Sequence, residues 1–415
     1  MNEGCVPTKA MIRSAEVMHL VARRAAEFGV EIDGKVRFNL ARAVARKDHI
    51  VGGIVRSIYH NLDQRQDTIT FIRGEARFLN DHEIETGSGK LSFEKAIIAT
   101  GARNVNPSIA GLAEIDYLTN RTALALKTLP ASMIIIGGGY VGLEFAQMYS
   151  RFGTQVTLVG RNPHLAPGDD EDLTRLLGEY LREEGINVHT NAPVKMVKKE
   201  KGIKIVTAEI NGEEIDLRAE AVLLAAGRIG NTDNLNLKAA GIDAADRGFV
   251  AVNDQLRTSQ AHIWAVGDVT GGLMFTHVAT YEGPIAALNA VKGLEKQVDY
   301  RTVPHAIFTD PSLAAVGMTE ADARAQGYDV AVGEVPADGA RAKAIGDTRG
   351  KLKALVDRQT GEILGFHILA PHGDILLHEA VAAMHDRGPI ERIAKSIHVH
   401  PTLSEMVKAA AKNAR

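Results

Sequence analysis

Between Ser132 and Val159 the chain spells an apolar run, Ser132-Met133-Ile134-Ile135-Ile136, then Gly137-Gly138-Gly139-Tyr140-Val141-Gly142, then the helical stretch Leu143-Glu144-Phe145-Ala146-Gln147-Met148, then a second apolar run, Gln155-Val156-Thr157-Leu158-Val159. Such a string folds most readily as strand, tight turn, helix and parallel strand, a crossover of about 30 residues. The glycines have separate reasons: Gly137 for the tight turn, Gly139 for close backbone approach to a pyrophosphate, Gly142 for close packing of helix on strand. The helix N-terminus favours the phosphate charge. In that setting Gly137-x-Gly139-x-x-Gly142 predicts a dinucleotide site rather than a bare turn.

The end of the following strand bears on which nucleotide is taken. An acid there would accept hydrogen bonds from a ribose 2′-hydroxyl and repel a 2′-phosphate, but the chain has Gly160-Arg161. A guanidinium suits phosphate, so NADPH is favoured over NADH. The competing reading is an exposed arginine in a turn.

At 415 residues, two or three domains are expected. The net charge of −3 leaves no basic excess for a nucleic-acid backbone, which points to small-molecule chemistry. A single cysteine excludes an internal disulfide framework and a tetrathiolate metal site, and fits a reducing compartment. There is no signal-like start and no apolar run long enough to cross a bilayer, so the expected location is the cytoplasm.

Met11, Ala15, Met18, Leu20, Val21 and Ala25 give a helical pattern from Cys5 to about Phe28, with Pro7 in the first turn. Cys5 therefore sits near a helix N-terminus, where the dipole favours thiolate; without further context a lone cysteine is more often an inert small hydrophobe. Thr68–Ile72 and Lys95–Thr100 read as strands, as does Ile263–Val266; the nucleotide domain is expected to continue to Ala221–Arg228, and a helix is expected from about Val278 to Val291. From Arg301 onward, strands alternate with turns and helices in an α+β pattern.

Several elements then take on a common meaning. Met1–Lys9 matches the second half of a Cys-x-x-x-x-Cys-x-Pro-x-Lys motif, with Cys5 as its later cysteine. Ala99-Thr100-Gly101, Gly227-Arg228-x-x-Asn231, Gly267-Asp268, Thr276-His277-Val278-Ala279 and His398-Val399-His400-Pro401-Thr402-Leu403-Ser404-Glu405 follow in order. The whole resembles the class I pyridine nucleotide-disulfide oxidoreductases, flavoproteins that include dihydrolipoamide dehydrogenase, glutathione reductase and mercuric reductase. The resemblance covers essentially the full chain.

It implies an α/β architecture of two Rossmann-like dinucleotide-binding domains plus a C-terminal α+β dimerisation domain. The implied parts are 1–118 and 241–300 for FAD, 119–240 for the nicotinamide nucleotide, and 301–415 for the homodimer interface. Gly267, Asp268, His277 and Ala279 would hold FAD, Asp268 at the ribityl chain, and Thr100, Gly101, Gly227 and Arg228 would bind cofactor as well. Lys9 would lie by the flavin, paired with Glu144; the alternative is two separate surface charges. His400, oriented by Glu405, would be an acid/base acting on the partner subunit, with a structural histidine as the competing reading. No metal is expected at His398 and His400, because no further ligands complete a set. The resemblance also implies that the first cysteine and the opening βαβ unit of the FAD domain precede Met1, about 40 residues. The first dinucleotide domain is thus expected to be truncated, and flavin binding and activity of this chain to be weak.

The expected function is passage of hydride from NADPH through FAD to a thiol-disulfide centre containing Cys5. Tyr117-Leu118-Thr119-Asn120 and Glu144 to Tyr149 lean towards mercuric reductase, although its C-terminal cysteine pair is absent after Glu405. The rivals are dihydrolipoamide dehydrogenase, a non-catalytic NADPH-binding dimer, and a peroxide reductase using Cys5 alone.

Overall fold

The computed structural model describes residues 2–414, which form two compact units. The first comprises the chain up to Cys5, Val51–Asn106 and Gly227–Tyr300; the second comprises Val6–Ile50, Pro107–Ala226 and the chain from Arg301 onward. These cuts differ from the expected domain boundaries. Residues 6–50 join the second unit, the first boundary falls at 106/107, and 227–240 join the first unit.

The first unit is built on a parallel strand pair, Ala96–Ile98 with Ile263–Ala265, in which Ile98 stands opposite Ala265. Both strands are too short to bury much by themselves. Ile98, Ile263 and Ala265 join Phe78, Val250 and Val269 in one core, under the helix Thr276–Lys292 and beside the antiparallel sheet Ala76–Phe78, Glu83–Thr86 and Gly89–Ser92. Thr68–Ile72 is not the expected strand. Thr68 and Ile69 donate back to Arg65 at the end of the helix Leu40–Asp63, and Phe71 is exposed. Alternation of β-branched residues makes a strand only where a neighbouring edge offers hydrogen bonds, and among the described residues none pairs with this segment.

In the second unit a four-stranded parallel sheet runs in the order Ala221–Leu224, Ser132–Ile136, Gln155–Val159, Asn187–His189. Met133 to Ile136 are all buried, as expected of a parallel strand covered on both faces. The helix Tyr140–Phe152 provides one of those covers. A three-stranded antiparallel sheet, Val194–Glu200, Ile203–Ile210 and Glu213–Ala219, packs through Val206 and Ala208 onto Ile134 and Ile136. The C-terminal part forms a five-stranded antiparallel sheet whose central strands are Ser312–Gly317, Ile363–Ala370 and Lys351–Asp357. Its Ile307, Leu313 and Leu369 share a core with Met11, Met133 and Leu143, so residues from 301 onward pack in one unit with the dinucleotide fold.

Candidate functional site

The glycine turn in the second unit has the form that pyrophosphate binding requires. Gly137 has φ +128°, and a Cβ there would come within 2.2 Å of the Ala225 carbonyl oxygen. A Cβ on Gly142 would lie 1.8 Å from the Gly137 oxygen, so helix and strand meet at a distance only glycine allows. Gly139 differs: a Cβ there meets nothing within 4 Å. The protein leaves that space open where a phosphate would approach. Gly139 caps the helix Tyr140–Phe152 with no side-chain hydrogen bond, so its first N–H groups lack that internal acceptor. Arg161, past the end of Gln155–Val159, is exposed and makes no side-chain hydrogen bond or ion pair with the described residues.

The same helix carries Glu144, which is buried and accepts two hydrogen bonds from the Lys9 ammonium at 2.8 Å each and one from the Phe308 N–H at 3.0 Å. Lys9 also stands 4.4 Å over the Phe308 ring. A residue from each of three distant stretches thus meets at one carboxylate.

In the first unit, Thr100-Gly101 and Gly267-Asp268 follow the C-terminal ends of the two paired strands, the edge at which open parallel sheets bind ligands. Asn231 ties the first loop down, its side chain donating to the Thr100 carbonyl and its N–H to the Gly101 carbonyl, each at 3.0 Å. Gly267 has φ +73°, and a Cβ on it would press to 3.1 Å on the Ala279 methyl. Two small residues therefore let loop and helix touch. Arg228 donates to the Ala102 carbonyl and lies 3.4 Å from the Asp268 carboxylate. Gly227 has φ +118°, which is why it precedes Arg228 at the bend. His277 is exposed in the first turn of Thr276–Lys292 and stacks on Phe275. Cys5 is the first residue of the helix Cys5–His19, and its Sγ is 3.4 Å from Thr276 Oγ1. The thiol thus lies at the N-termini of two helices.

Glu282 lies in the stretch Thr276–Gly283 that continues the family resemblance, but the sequence assigns it no contact of its own. It is buried and accepts from the Gly267 N–H and from the Tyr300 hydroxyl, each at 2.6 Å, and burial together with this carboxylate pushes the Tyr300 phenol well up. It fixes the Gly267-Asp268 bend from beneath. A glutamate spaced i, i+4 between Val278 and Ala286, on a buried helix face, was the available signal.

His400 and Glu405 meet on the surface of the second unit. His400 Nδ1 is 3.0 and 3.2 Å from the two carboxylate oxygens. The Thr402 N–H, donating to the same carboxylate, and then His400 hold Glu405 below the usual carboxylate range. With Nδ1–H donated, Nε2 is left with its lone pair outward, the state a base requires. His398 turns away to Glu379, at 2.9 and 3.1 Å, and is largely buried. The flanking Ile397 and Val399 are 99% and 75% exposed.

A family profile described as pyridine nucleotide-disulphide oxidoreductase matches residues 1–283, and the dimerisation domain of that family matches 303–411. Mercuric reductase from Bacillus cereus is 35% identical over 411 residues, covering 99% of this chain and 65% of that protein. Dihydrolipoyl dehydrogenase from Haloferax volcanii is 35% identical over 427 residues, covering 88% of its length. The chain thus spans about two thirds of the first of these relatives and more of the second. The HOCl-induced flavoprotein disulfide reductase RclA from Escherichia coli superposes with TM-score 0.88 at 31% identity, over 100% of this chain and 91% of that one. LpdA from Mycobacterium tuberculosis gives TM-score 0.88 at 27% identity, over 99% and 90%. Among the described residues no helix is long and apolar enough to cross a membrane. The family takes FAD and a pyridine nucleotide, and the open space at Gly139 and the tied loops at Gly101 and Gly267 suit those groups. The chain belongs to the pyridine nucleotide-disulphide oxidoreductase family.

Proposed function

We propose that the protein is an NADPH-dependent flavoprotein oxidoreductase that passes electrons through a thiol-disulfide centre in which Cys5 pairs with a second sulfur not supplied by these 415 residues, acting as a homodimer through its C-terminal part. FAD, when bound, supplies the two-electron carrier between nicotinamide and sulfur. The Gly137–Gly142 turn binds the pyrophosphate and Arg161 receives the 2′-phosphate. NADPH is preferred because no acid stands at the end of Gln155–Val159 and the Arg161 guanidinium has no partner to give up among the described residues. Thr100, Gly101, Gly227, Arg228, Gly267, Asp268, His277 and Ala279 hold the flavin, Glu282 keeps the Gly267-Asp268 bend in place, and Lys9 is held by Glu144. His400, oriented by Glu405, exchanges a proton with the thiol of a second copy of the chain. The exposed Ile397 and Val399 beside it support burial of this face in a dimer.

The observation that carries the reading is the position of Cys5, at a helix N-terminus and 3.4 Å from Thr276 Oγ1, in the unit that also holds the Thr100-Gly101 and Gly267-Asp268 loops. The test is NADPH oxidation by flavin-loaded protein, with a small disulfide and with a quinone as alternative acceptors. Cys5→Ser should abolish the disulfide rate and spare the quinone rate, with NADPH preferred over NADH by at least tenfold. Equal disulfide rates for both proteins would refute the role of Cys5. Similarity to dihydrolipoyl dehydrogenases supports a second reading, which preferential use of NADH would favour.

A further inference from the structure

We propose that Asp81, His82 and His262 form a binding site for one borderline divalent transition-metal ion of the Zn2+ type, separate from the flavin edge. One ligand atom from each residue lies within 4.8 Å of the others. All three residues belong to the first unit.

The tautomers favour metal binding. His82 Nδ1 is 3.1 Å from the Phe93 carbonyl oxygen and His262 Nε2 is 2.7 Å from the Asp81 backbone oxygen. A carbonyl only accepts, so each of these nitrogens carries the proton. His82 Nε2 and His262 Nδ1 are left with bare lone pairs, and neither has a protein donor among the described residues. An imidazole that donates one N–H to a backbone carbonyl while the other nitrogen stays bare is the usual arrangement for a metal-bound histidine. The Asp81 carboxylate also has no hydrogen bond or ion pair with the described residues.

The backbone holds the three residues in place before any ion arrives. The His82 N–H donates to Asn80 Oδ1 at 2.8 Å, and the His82 carbonyl accepts from the Phe93 N–H at 2.9 Å. The His262 carbonyl accepts from the Ala96 N–H at 3.1 Å. The two imidazole rings stack with centroids 4.3 Å and planes 13° apart, so one ring must leave the stack before both lone pairs reach a single ion. Zn2+ binds imidazole nitrogen at about 2.0–2.1 Å, which places tetrahedral donors about 3.3 Å apart, so the set closes when the exposed His82 ring rotates out of the stack. Water completes the coordination. Two nitrogens and one carboxylate select a borderline ion over Mg2+ or Ca2+.

His262 opens the strand Ile263–Ala265, whereas Gly267-Asp268 follows its other end, so the ion would stand away from the flavin edge. Its effect would be to clamp the turn between Ala76–Phe78 and Glu83–Thr86 onto the start of that strand, stabilising the first unit. The ligands stand 181 positions apart, and the sequence reading accordingly expected no metal.

The test is equilibrium dialysis of the full chain carrying Cys5→Ser against Zn2+ alone, with Mg2+ as control. About one Zn2+ per chain is expected. His82→Gln and His262→Gln should each weaken binding at least tenfold and Asp81→Asn less, whereas His400→Gln should leave it unchanged. Trp264 fluorescence, two residues from His262, reports whether each variant is folded, and the exposed His82 keeps the test informative if His262→Gln is not. Zn2+ bound equally by His82→Gln and its parent, or no binding up to millimolar Zn2+, would overturn the site.

Discussion

The Lys9 and Glu144 pair allows a quantitative test of whether its charges act as one buried unit. Glu144 is 5% exposed and accepts three hydrogen bonds, whereas the Lys9 side chain is 32% exposed. Lys9→Met keeps an apolar chain of similar length but leaves a buried carboxylate with one N–H donor, at a cost of about 2–4 kcal/mol. Glu144→Gln keeps an oxygen for the Phe308 N–H and leaves an ammonium that can turn to water, for about 1–2 kcal/mol. The asymmetry follows from burial, since the less exposed partner suffers more when left alone. After discounting for the exposure of Lys9, the double-mutant coupling should be about 1–2 kcal/mol, against a few tenths for a surface pair. It should also survive added salt, because Glu144 is shielded from mobile ions. Urea unfolding followed by far-UV circular dichroism measures it. Trp264, the only tryptophan, lies in the other unit, so its fluorescence serves as an internal control. A coupling below about 0.3 kcal/mol, or a Glu144→Gln cost exceeding that of Lys9→Met, would refute the reasoning.

Gly139→Ala should fold normally and lose nucleotide affinity at least tenfold, because its Cβ meets no protein atom and enters the space left for phosphate; Gly142→Ala, aimed at the Gly137 oxygen, should destabilise the fold itself, and thermal melting with NADPH titration separates the two. Burial, above all, holds His367 below the usual histidine value, outweighing the Asp170 carboxylate nearby. Its neutral form is therefore favoured in the folded chain, and the unfolded chain takes up the extra proton first. The stability this contributes should be present in full above pH 6.5 and fall away as pH drops below it, and His367→Gln should flatten that part of a melting-temperature profile. An unchanged profile in the variant would count against the assignment.

Much of the site could be read from local sequence because its parts are local. A strand, a glycine turn and a helix are contiguous from Ser132 to Phe152, and the demand on Gly142 comes from the nearby Gly137 oxygen, whereas that on Gly137 comes from the distant Ala225 and Gly139 meets no protein atom. His400 and Glu405 are likewise five positions apart, joined across one turn. The strand expected at Thr68–Ile72 failed because a strand depends on an edge elsewhere in the chain, which its own alternation of side chains does not supply. The Lys9–Glu144 contact spans 135 positions and was reached only through the family resemblance.

Other features belong to tertiary structure alone. Nothing local to Glu282 indicates that its two oxygens would meet the Gly267 N–H and the Tyr300 hydroxyl. The convergence of Asp81 and His82 with His262 depends on the hairpin and the short strand arriving at one place. Sequence by itself determined the turns, caps and periodicities whose energies arise within a few residues, and with them the nucleotide fold and the candidate base. Which distant polar groups are buried together, and so which charges and lone pairs find partners, only the packing of the whole chain decided, because desolvation depends on everything that surrounds a group.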